Sequence, residues 1–378
     1  MNSLDPRTII LLTGVMGGVM SLVMYMMRRN FPPNIKGLTA WAASPFILFI
    51  AAILGGSRGL LPEFLSIVLP NILLFVGIYV AYFGSQQFFG VAPALRRWVM
   101  ALIPVAAVAI WFTLIQPDYR TRLMLLSPSL GLVFAMHAHL IYTKAPRTFA
   151  SWLSFVVLLS AVAIQIMRFL LAWQSRNETG VYDLNSPQAY FLAAYSFVIL
   201  LFNVGLLLMA TECLRTEFEH QATHDSLTDA FTRRHMNEAC AQELERCRRH
   251  GHVMALLIMD LDHFKAINDT YGHQRGDRVL VEFATQVKTL LRRQDQLGRF
   301  GGEEFVLLLP ETPLPVATVV AERIRAMVDE SSENPHYTVS IGLTINQHDY
   351  DSLDTLLARA DTALYRAKEK GRNRVESA

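Results

Sequence analysis

The chain has 378 residues and a formal net charge of +2, and that small number conceals a very uneven distribution. Residues 1–210 carry 18 charged side chains, 13 basic and 5 acidic, whereas residues 211–378 carry 48, of which 21 are basic and 27 acidic. Fewer than one charge in ten over 210 residues excludes an ordinary water-facing domain for the first segment, while the second has the charge density and length of one soluble domain with its own core.

In chain order, seven stretches of the first segment approach the ~20 apolar residues that a spanning helix needs: 8–27, 38–54, 64–83, 98–115, 123–142, 150–173 and 189–210. They predict an all-α transmembrane bundle of about seven helices over residues 1–210. One set of alternate loops holds Arg28, Arg29, Lys36, Arg96, Arg97, Lys144 and Arg147; the other holds Arg7, Arg58, Arg120, Arg122 and Arg176. The excess in the first set predicts an outside N-terminus and an inside C-terminus. Only Arg7 precedes the first stretch and no small-residue cleavage site follows it, so it is expected to be retained rather than removed as a leader. The longest gap, 174–188, is too short for an external sensor domain, so any signal should enter through the helices or their rims. His137 and His139, two positions apart, face opposite sides of a helix, which points to hydrogen bonding between helices rather than a shared metal or haem site. Arg168 is placed to snorkel toward the headgroups, and Asn71 and Asn203 to join neighbouring helices.

Residues 211–224 are polar, with Leu214, Phe218 and Gln221 or Ala222 at helical spacing. They read either as a signalling helix that pairs with a copy of itself or as a bare linker. The three cysteines, Cys213, Cys240 and Cys247, all lie in the second half and suggest a reduced, cytosolic domain without a disulfide framework. Cys240 and Cys247, seven apart on a predicted helix, read as packing residues.

From 225 onward the periodicity predicts a helix over 227–249, a buried strand over 253–259, helices near 263–270 and 277–293, a hairpin of 297–300 and 305–309, a helix over 316–329, a strand over 337–344 and a helix over 353–370. This is an α+β sheet with helices packed on it. Its acidic residues gather at chain reversals. Asp260 and Asp262 end the buried strand two positions apart and should share a face, and Glu303 and Glu304 leave the Gly301-Gly302 turn. Like charges a few ångströms apart disfavour ionisation, so a divalent cation is the natural reason to assemble them. Oxygen-only donors suit Mg²⁺, whose shell water and phosphate complete. The glycines allow a planar or phosphorylated ligand to lie against the backbone.

Gly301-Gly302-Glu303-Glu304-Phe305 resembles the signature of the GGDEF domain of diguanylate cyclases, which condense two GTP into cyclic di-GMP. The resemblance runs over about residues 220–375. It includes Asp225-Ser226-Leu227-Thr228, Asp260-Leu261-Asp262-His263-Phe264-Lys265 with Asn268-Asp269, Gly272-His273, Gly276-Asp277, Ser340-Ile341-Gly342, Ala360-Asp361 with Ala363-Leu364-Tyr365 and Lys368, and Gly371-Arg372-Asn373. It departs at Ala230 and Thr232, where Leu and Asn are usual, and more mildly at His263 and Phe300.

The resemblance implies a nucleotidyl-cyclase or palm-like antiparallel sheet flanked by helices over 225–378. It implies that Asp260, Glu303 and the Leu261 carbonyl hold Mg²⁺, or Mn²⁺, with Glu304 as a further ligand. Asn268, His273 and Asp277 would contact guanine and ribose, with the Gly301-Gly302 turn against the nucleotide. Lys265, Lys368 and Arg372 would neutralise the triphosphate, and Glu303 would assist deprotonation of the attacking hydroxyl. Arg292 and Asp295, with Arg323 in support, resemble an inhibitory site for the product. No Gly-x-x-x-x-Gly-Lys occurs in the chain, so GTP would not be held by a P-loop.

A two-fold symmetric product implies a homodimer. The expected place is the bacterial inner membrane, with the lipid bilayer as a partner and no nucleic acid. The end of the chain soon after the closing motifs predicts no phosphodiesterase domain. The alternative is a catalytically silent receptor for cyclic di-GMP or GTP, against which the intact signature speaks. Transport by the spans as the main function is disfavoured by the scarcity of intramembrane charge.

Overall fold

The computed structural model describes residues 6–174, 188–331, 335–347 and 351–378. The expected short gap at 174–188 therefore lies almost wholly outside the described residues. The chain divides into two compact units, Met1–Arg215 and Thr216–Ala378.

The first unit is built from helices α1 (Pro6–Asn30), α2 (Leu38–Gly56), α3 (Leu69–Phe88, entered through a π-helical turn at Phe64–Val68), α4 (Leu95–Ile110, leaving through another at Trp111–Ile115), α5 (Tyr119–Lys144), α6 (Phe149–Gln174) and α7 (Gln188–Thr223). Among the described residues, seven helices have the length and apolarity to cross a membrane. Each is longer than its predicted stretch, since polar ends continue the helix past the apolar run. The polar segment beyond 210 is not a separate element: α7 runs unbroken for 36 residues through Thr223.

Polar groups inside this unit are handled locally. His137 is buried and its Nε2 lies 2.7 Å from Ser85 Oγ of α3, while His139 is exposed. Asn71 and Asn203 do not join helices through their amide groups. Each Nδ2 donates to the carbonyl four residues back, Ile67 and Ile199, at 2.7 Å, which satisfies the donor without a partner helix. Arg168 is half-buried, and its guanidinium sits 5.8 Å from the Tyr195 ring centroid of α7.

In the second unit, β1 (Phe231–Thr232), α8 (Arg233–His250), β2 (Ala255–Leu261), α9 (Phe264–Tyr271), α10 (His273–Leu290), β3 (Gln296–Gly301), β4 (Glu304–Leu309), α11 (Leu314–Asp329), β5 (Val339–Ile345), α12 (Leu353–Glu369) and β6 (Val375–Ser377) follow in order. The sheet order among the described residues is β1-β3-β4-β2-β5-β6. Its four central strands are antiparallel, but β1 pairs with β3 and β6 with β5 in parallel. The expected antiparallel sheet is therefore mixed. Its two short edge strands, of two and three residues, carry too little periodicity to be legible in sequence.

Alternation along the strands divides the core. Leu257, Met259, Phe305 and Leu307 pack with Val279, Phe283, Ala321 and Ile324 of α10 and α11, while Leu256, Ile258, Val306 and Leu308 pack with Cys240, Leu244, Leu356 and Leu364 of α8 and α12. Burial pushes the Cys240 and Cys247 thiols up to about 12 and about 11, so both stay protonated as packing groups. The first helix begins at Arg233 rather than 227. Thr232 caps it by accepting from the His235 N–H, and Asp225 occupies the Thr228 N–H in a preceding turn.

Helix α12 lies directly on β5 at Gly342, where an added Cβ would fall 2.1 Å from the Ala360 carbonyl and 2.3 Å from the Leu364 nitrogen. Gly342→Ala is expected to destabilise this unit by about 1–3 kcal/mol through overpacking. Denaturant unfolding of the full chain in detergent, followed by a probe on the second unit, would show it as a lowered midpoint; an unchanged midpoint would contradict the close packing.

Candidate active site

The second unit collects its acidic groups where β2 and β4 end together. Asp260 stands opposite Glu304 in the ladder, one step beyond the Met259–Phe305 pair, and the Leu261 N–H donates to the Glu303 carbonyl at 3.4 Å. The β3–β4 turn brings Glu303 and Glu304 back to this end because Gly302 takes a left-handed φ of 49°, which glycine adopts without strain. Asp260 is buried, and Lys368 Nζ from the last turns of α12 sits 2.8 Å from its Oδ2. Burial pushes the Asp260 carboxyl above its ordinary range; Lys368 opposes the shift and the Glu303 and Glu304 charges add to it. A carboxylate held among others at a dry strand end is a site short of positive charge. The donor set is all oxygen, and it fits a hard divalent cation.

Asp262 does not join that cluster. It is buried and accepts from Thr338 Oγ1 and Ser340 Oγ at 2.7 Å each and from the Asn373 N–H at 3.1 Å. Ser340 is also the ladder partner of Asp260, so the two carboxylates share a face as expected, but the chain turns after Leu261 and the Asp262 oxygens are taken up by these three donors. The role of Asp262 is to pin the turn after α12, where Gly371, Arg372 and Asn373 all have positive φ. Arg325 Nη1 donates to Asn373 Oδ1 at 2.9 Å and fixes the same turn from α11. Arg372, expected at the phosphates, is thus presented from a braced loop.

Lys265 lies exposed in the first turn of α9, three residues beyond Asp262. Asn268, further along α9, places its Oδ1 against Gly276 of α10, 1.9 Å from where a Cβ would stand. That contact sets the end of α9 against the start of α10, with His273 and Asp277 exposed in the first turns of α10. Arg292 and Asp295 are not at a helix end as such: α10 stops at Leu290, and they form the following turn, with the Arg292 N–H donating to Asp295 Oδ2 at 2.8 Å. Asp295 Oδ1 is buried and unpartnered, and Arg323 Nη2 donates to the Leu290 carbonyl at 2.6 Å beside the same turn.

Arg299 was not among the expected site residues. Its Nε and Nη2 donate to the Gly302 carbonyl at 3.0 and 2.8 Å, and its Nη1 to Asp225 Oδ1 at 3.0 Å. It thereby ties the glycine turn to the opening loop. A lone arginine inside a strand gives no such signal, because its acidic partner lies 74 residues away.

Burial alone would raise the Asp225 carboxyl, but hydrogen bonds from Thr228 and Arg299 outweigh it and hold the group below the usual carboxylate range. A depressed folded value stabilises the fold above the unfolded value of about 3.9, and that stabilisation is lost as pH falls through the folded value. Thermal unfolding followed from about pH 5 downward should therefore show a shallower acid loss in Asp225→Asn than in the parent protein. Identical profiles would remove Asp225 from this role.

The diguanylate cyclase GGDEF-domain family profile matches residues 222–374. Diguanylate cyclase DgcM of Escherichia coli K12 is 43% identical over 167 residues, 44% of this chain and 40% of that protein, so the chain aligns with well under half the length of this relative. Response regulator PleD of Caulobacter vibrioides is 39% identical over 175 residues, 44% of this chain and 38% of PleD. Probable diguanylate cyclase DgcC of Escherichia coli K12 is 31% identical over 259 residues, 66% of this chain and 67% of that protein. A solved structure of the coiled coil and GGDEF domain of DgcB from Caulobacter crescentus in complex with c-di-GMP is 30% identical and covers 46% of this chain and 97% of its own, with a TM-score of 0.43. With the DgcC similarity extending over two thirds of that relative, and the family match enclosing the acidic strand ends and the glycine turn, the chain belongs to the GGDEF family of diguanylate cyclase domains.

Proposed function

We propose that the protein is a membrane-bound diguanylate cyclase that condenses two GTP into cyclic di-GMP and two pyrophosphates as a homodimer. The observation that carries this reading is the convergence of Asp260, Glu303 and Glu304 at one end of the sheet beside Lys368, next to a glycine turn that leaves room for a ligand. A seven-helix membrane region with an outside N-terminus and a cytoplasmic GGDEF domain at the bacterial inner membrane completes it, supported by the seven apolar helices and the loop charges.

Asp260, the Leu261 carbonyl and Glu303 would hold Mg²⁺, with Glu304 as a further donor and Mn²⁺ as a substitute. When bound, the cation supplies charge neutralisation at the reacting phosphates and a lowered barrier to loss of pyrophosphate. Lys368 Nζ lies 2.8 Å from Asp260 Oδ2, close enough that it would share the neutralisation of the carboxylates and phosphates with the cation. Lys265 and Arg372 approach from α9 and the braced turn, so the triphosphate meets cations from three elements. Asn268 and Asp277 offer an amide and a carboxylate to guanine's donor edge, with His273 beside them. Glu303 takes the proton from the attacking 3′-hydroxyl, in line with the α-phosphate of the GTP held by the opposing copy. One copy holds one GTP, so ring closure requires two domains face to face. Arg292, Asp295 and Arg323 form the inhibitory product site; the unpartnered Asp295 Oδ1 is an acceptor for the guanine donors of cyclic di-GMP.

Full-length protein in detergent with labelled GTP and Mg²⁺ should yield cyclic di-GMP. Glu303→Gln should lower the rate by at least about 100-fold, and chelation of the divalent cation should abolish it. A parent protein that binds nucleotide but makes no product would favour a silent receptor. Progress curves of the active enzyme should slow as product accumulates, and Arg292→Ala should keep them linear. Undiminished slowing in that variant would count against the inhibitory site.

A further inference from the structure

The last turn of α7 carries His220, and His224 follows one residue past the helix end, its N–H still donating to the His220 carbonyl at 2.8 Å, so the two side chains lie on one side. The opening loop folds back beneath them. The Asp225 N–H donates to the Ala230 carbonyl at 2.7 Å, the Asp229 N–H to the Asp225 carbonyl at 2.9 Å, and Thr232 Oγ1 to the Ala222 carbonyl at 3.2 Å. This loop holds Asp229 in a left-handed conformation, φ 53°, with its carboxylate against the helix. One ligand-type atom from each of His220, His224 and Asp229 lies within 4.8 Å of the other two. We propose that these three side chains form a binding site for a zinc-class divalent transition-metal ion, separate from the oxygen-ligand site at the strand ends, and that the ion clamps the end of α7 to the opening loop.

The donor chemistry separates the two sites. Two imidazoles and one carboxylate suit Zn²⁺ and its neighbours, whereas Mg²⁺ prefers oxygen alone. His220 Nε2 and Asp229 Oδ1 are 3.3 Å apart. Two ligand atoms on a tetrahedral ion with bonds of about 2.0–2.1 Å lie about 3.3–3.4 Å apart, so this pair already stands at the edge length of such a site. His224 supplies the third ligand through Nε2. Its Nδ1 lies 2.9 Å from Thr223 Oγ1 and 3.3 Å from the His220 carbonyl, and a proton on Nδ1 directed at that carbonyl leaves the Nε2 lone pair free, the outer arrangement that orients metal-binding histidines. The two rings stack at 4.1 Å with an interplanar angle of 1°, an arrangement that two imidazolium cations would oppose and two neutral, metal-binding rings permit. His220 and Asp229 are largely exposed, and a water would complete the shell.

Lys288 bears on the affinity. Its Nζ sits 3.0 Å from Asp229 Oδ2 and also reaches the Asp229 backbone carbonyl. It leaves Oδ1 to the ion but places a positive charge beside it, which predicts micromolar rather than tighter binding. The ion would act on the same loop that reaches the glycine turn. Asp225 accepts from both the Asp229 N–H and Arg299, through its carbonyl and carboxylate, and Arg299 donates to Gly302. That downstream consequence rests on the cyclase reading; binding of the ion does not.

The test is a Zn²⁺ titration by calorimetry of tag-free, chelator-stripped full-length protein in detergent, without GTP and with millimolar Mg²⁺ to occupy the oxygen site, with Co²⁺ as a visible-absorbing probe. The expected result is one equivalent of Zn²⁺ per chain and a Co²⁺ spectrum of a nitrogen-containing site. His220→Ala/His224→Ala should lose both, and the control His250→Ala/His252→Ala should keep both. Lys288→Ala should bind Zn²⁺ about thirtyfold more tightly, as removal of a unit charge near 4 Å from a divalent ion in a watery setting implies. No equivalent bound by the parent, retention in the double variant, or unchanged affinity in Lys288→Ala would each overturn the proposal. Because nucleotide is absent, none of these outcomes depends on whether the protein makes cyclic di-GMP.

Discussion

Holding several carboxylates together at one strand end is the constraint on which the rest of the second unit depends. Asp260 is buried opposite Glu304 and near Glu303, so burial and the neighbouring negative charges together push its carboxyl above the ordinary range. Left alone, such a cluster would take up protons or push the strands apart. Lys368 relieves it in the absence of a cation, and the helix that carries Lys368 is pressed onto the sheet at Gly342. The close seat of α12 and the position of the acidic cluster are therefore one structural fact. A fold that let α12 ride higher would withdraw the only positive charge within hydrogen-bond distance of Asp260 among the described residues.

Around this cluster the chain uses polar side chains to brace loops rather than to do chemistry. Asp262 gathers three hydrogen bonds from two distant segments and fixes the left-handed turn that presents Arg372. Arg299 holds the glycine turn by its carbonyl and passes the connection to Asp225. Both are charge-assisted arrangements in partly desolvated surroundings, where each bond is worth more than its exposed counterpart. The glycine turn and the turn that carries Arg372 are loops, and these braces supply the rigidity that loops lack.

The membrane-type unit solves a different problem with the same economy. Its helices meet mostly through apolar surfaces, and some of its polar side chains are satisfied within a turn of their own helix or across one neighbour, as with Asn71, Asn203 and the His137–Ser85 pair, whereas Ser127 Oγ and both Gln165 amide atoms are buried without a hydrogen-bond partner. The long α7 then continues without a break from apolar to polar sequence. A helix has no internal reason to stop at a hydropathy boundary, since its hydrogen bonds are satisfied within the backbone on either side of it. The end of the apolar run is therefore not the end of the element. The helix stops where the opening loop, turned by Asp225 and Asp229, begins.

Much of this protein was legible in its sequence because the signals were local. Apolar runs marked seven long helices, strand and helix periods marked the central elements of the second unit, and the Gly301–Phe305 string with its companion motifs marked the family. Helix and strand ends moved by a few residues, as at Arg233, because capping by Thr232 and Asp225 depends on turn chemistry that hydropathy does not register. What local pattern could not supply was pairing at a distance. The parallel edges β1 and β6 are too short to have a period, Arg299 looked like an ordinary charge until a partner 74 residues away came beside it, and the bracing role of Asp262 depends on a partner 76 residues away. Asp260 and Asp262 had the same chemistry and adjacent places in the sequence, and only the turn after Leu261 sent one to the acidic cluster and the other to the brace. Residue type and local period determine which chemistry a chain can offer and which elements carry it. Which of two like groups is left to act is decided by the backbone's path and by what it packs against.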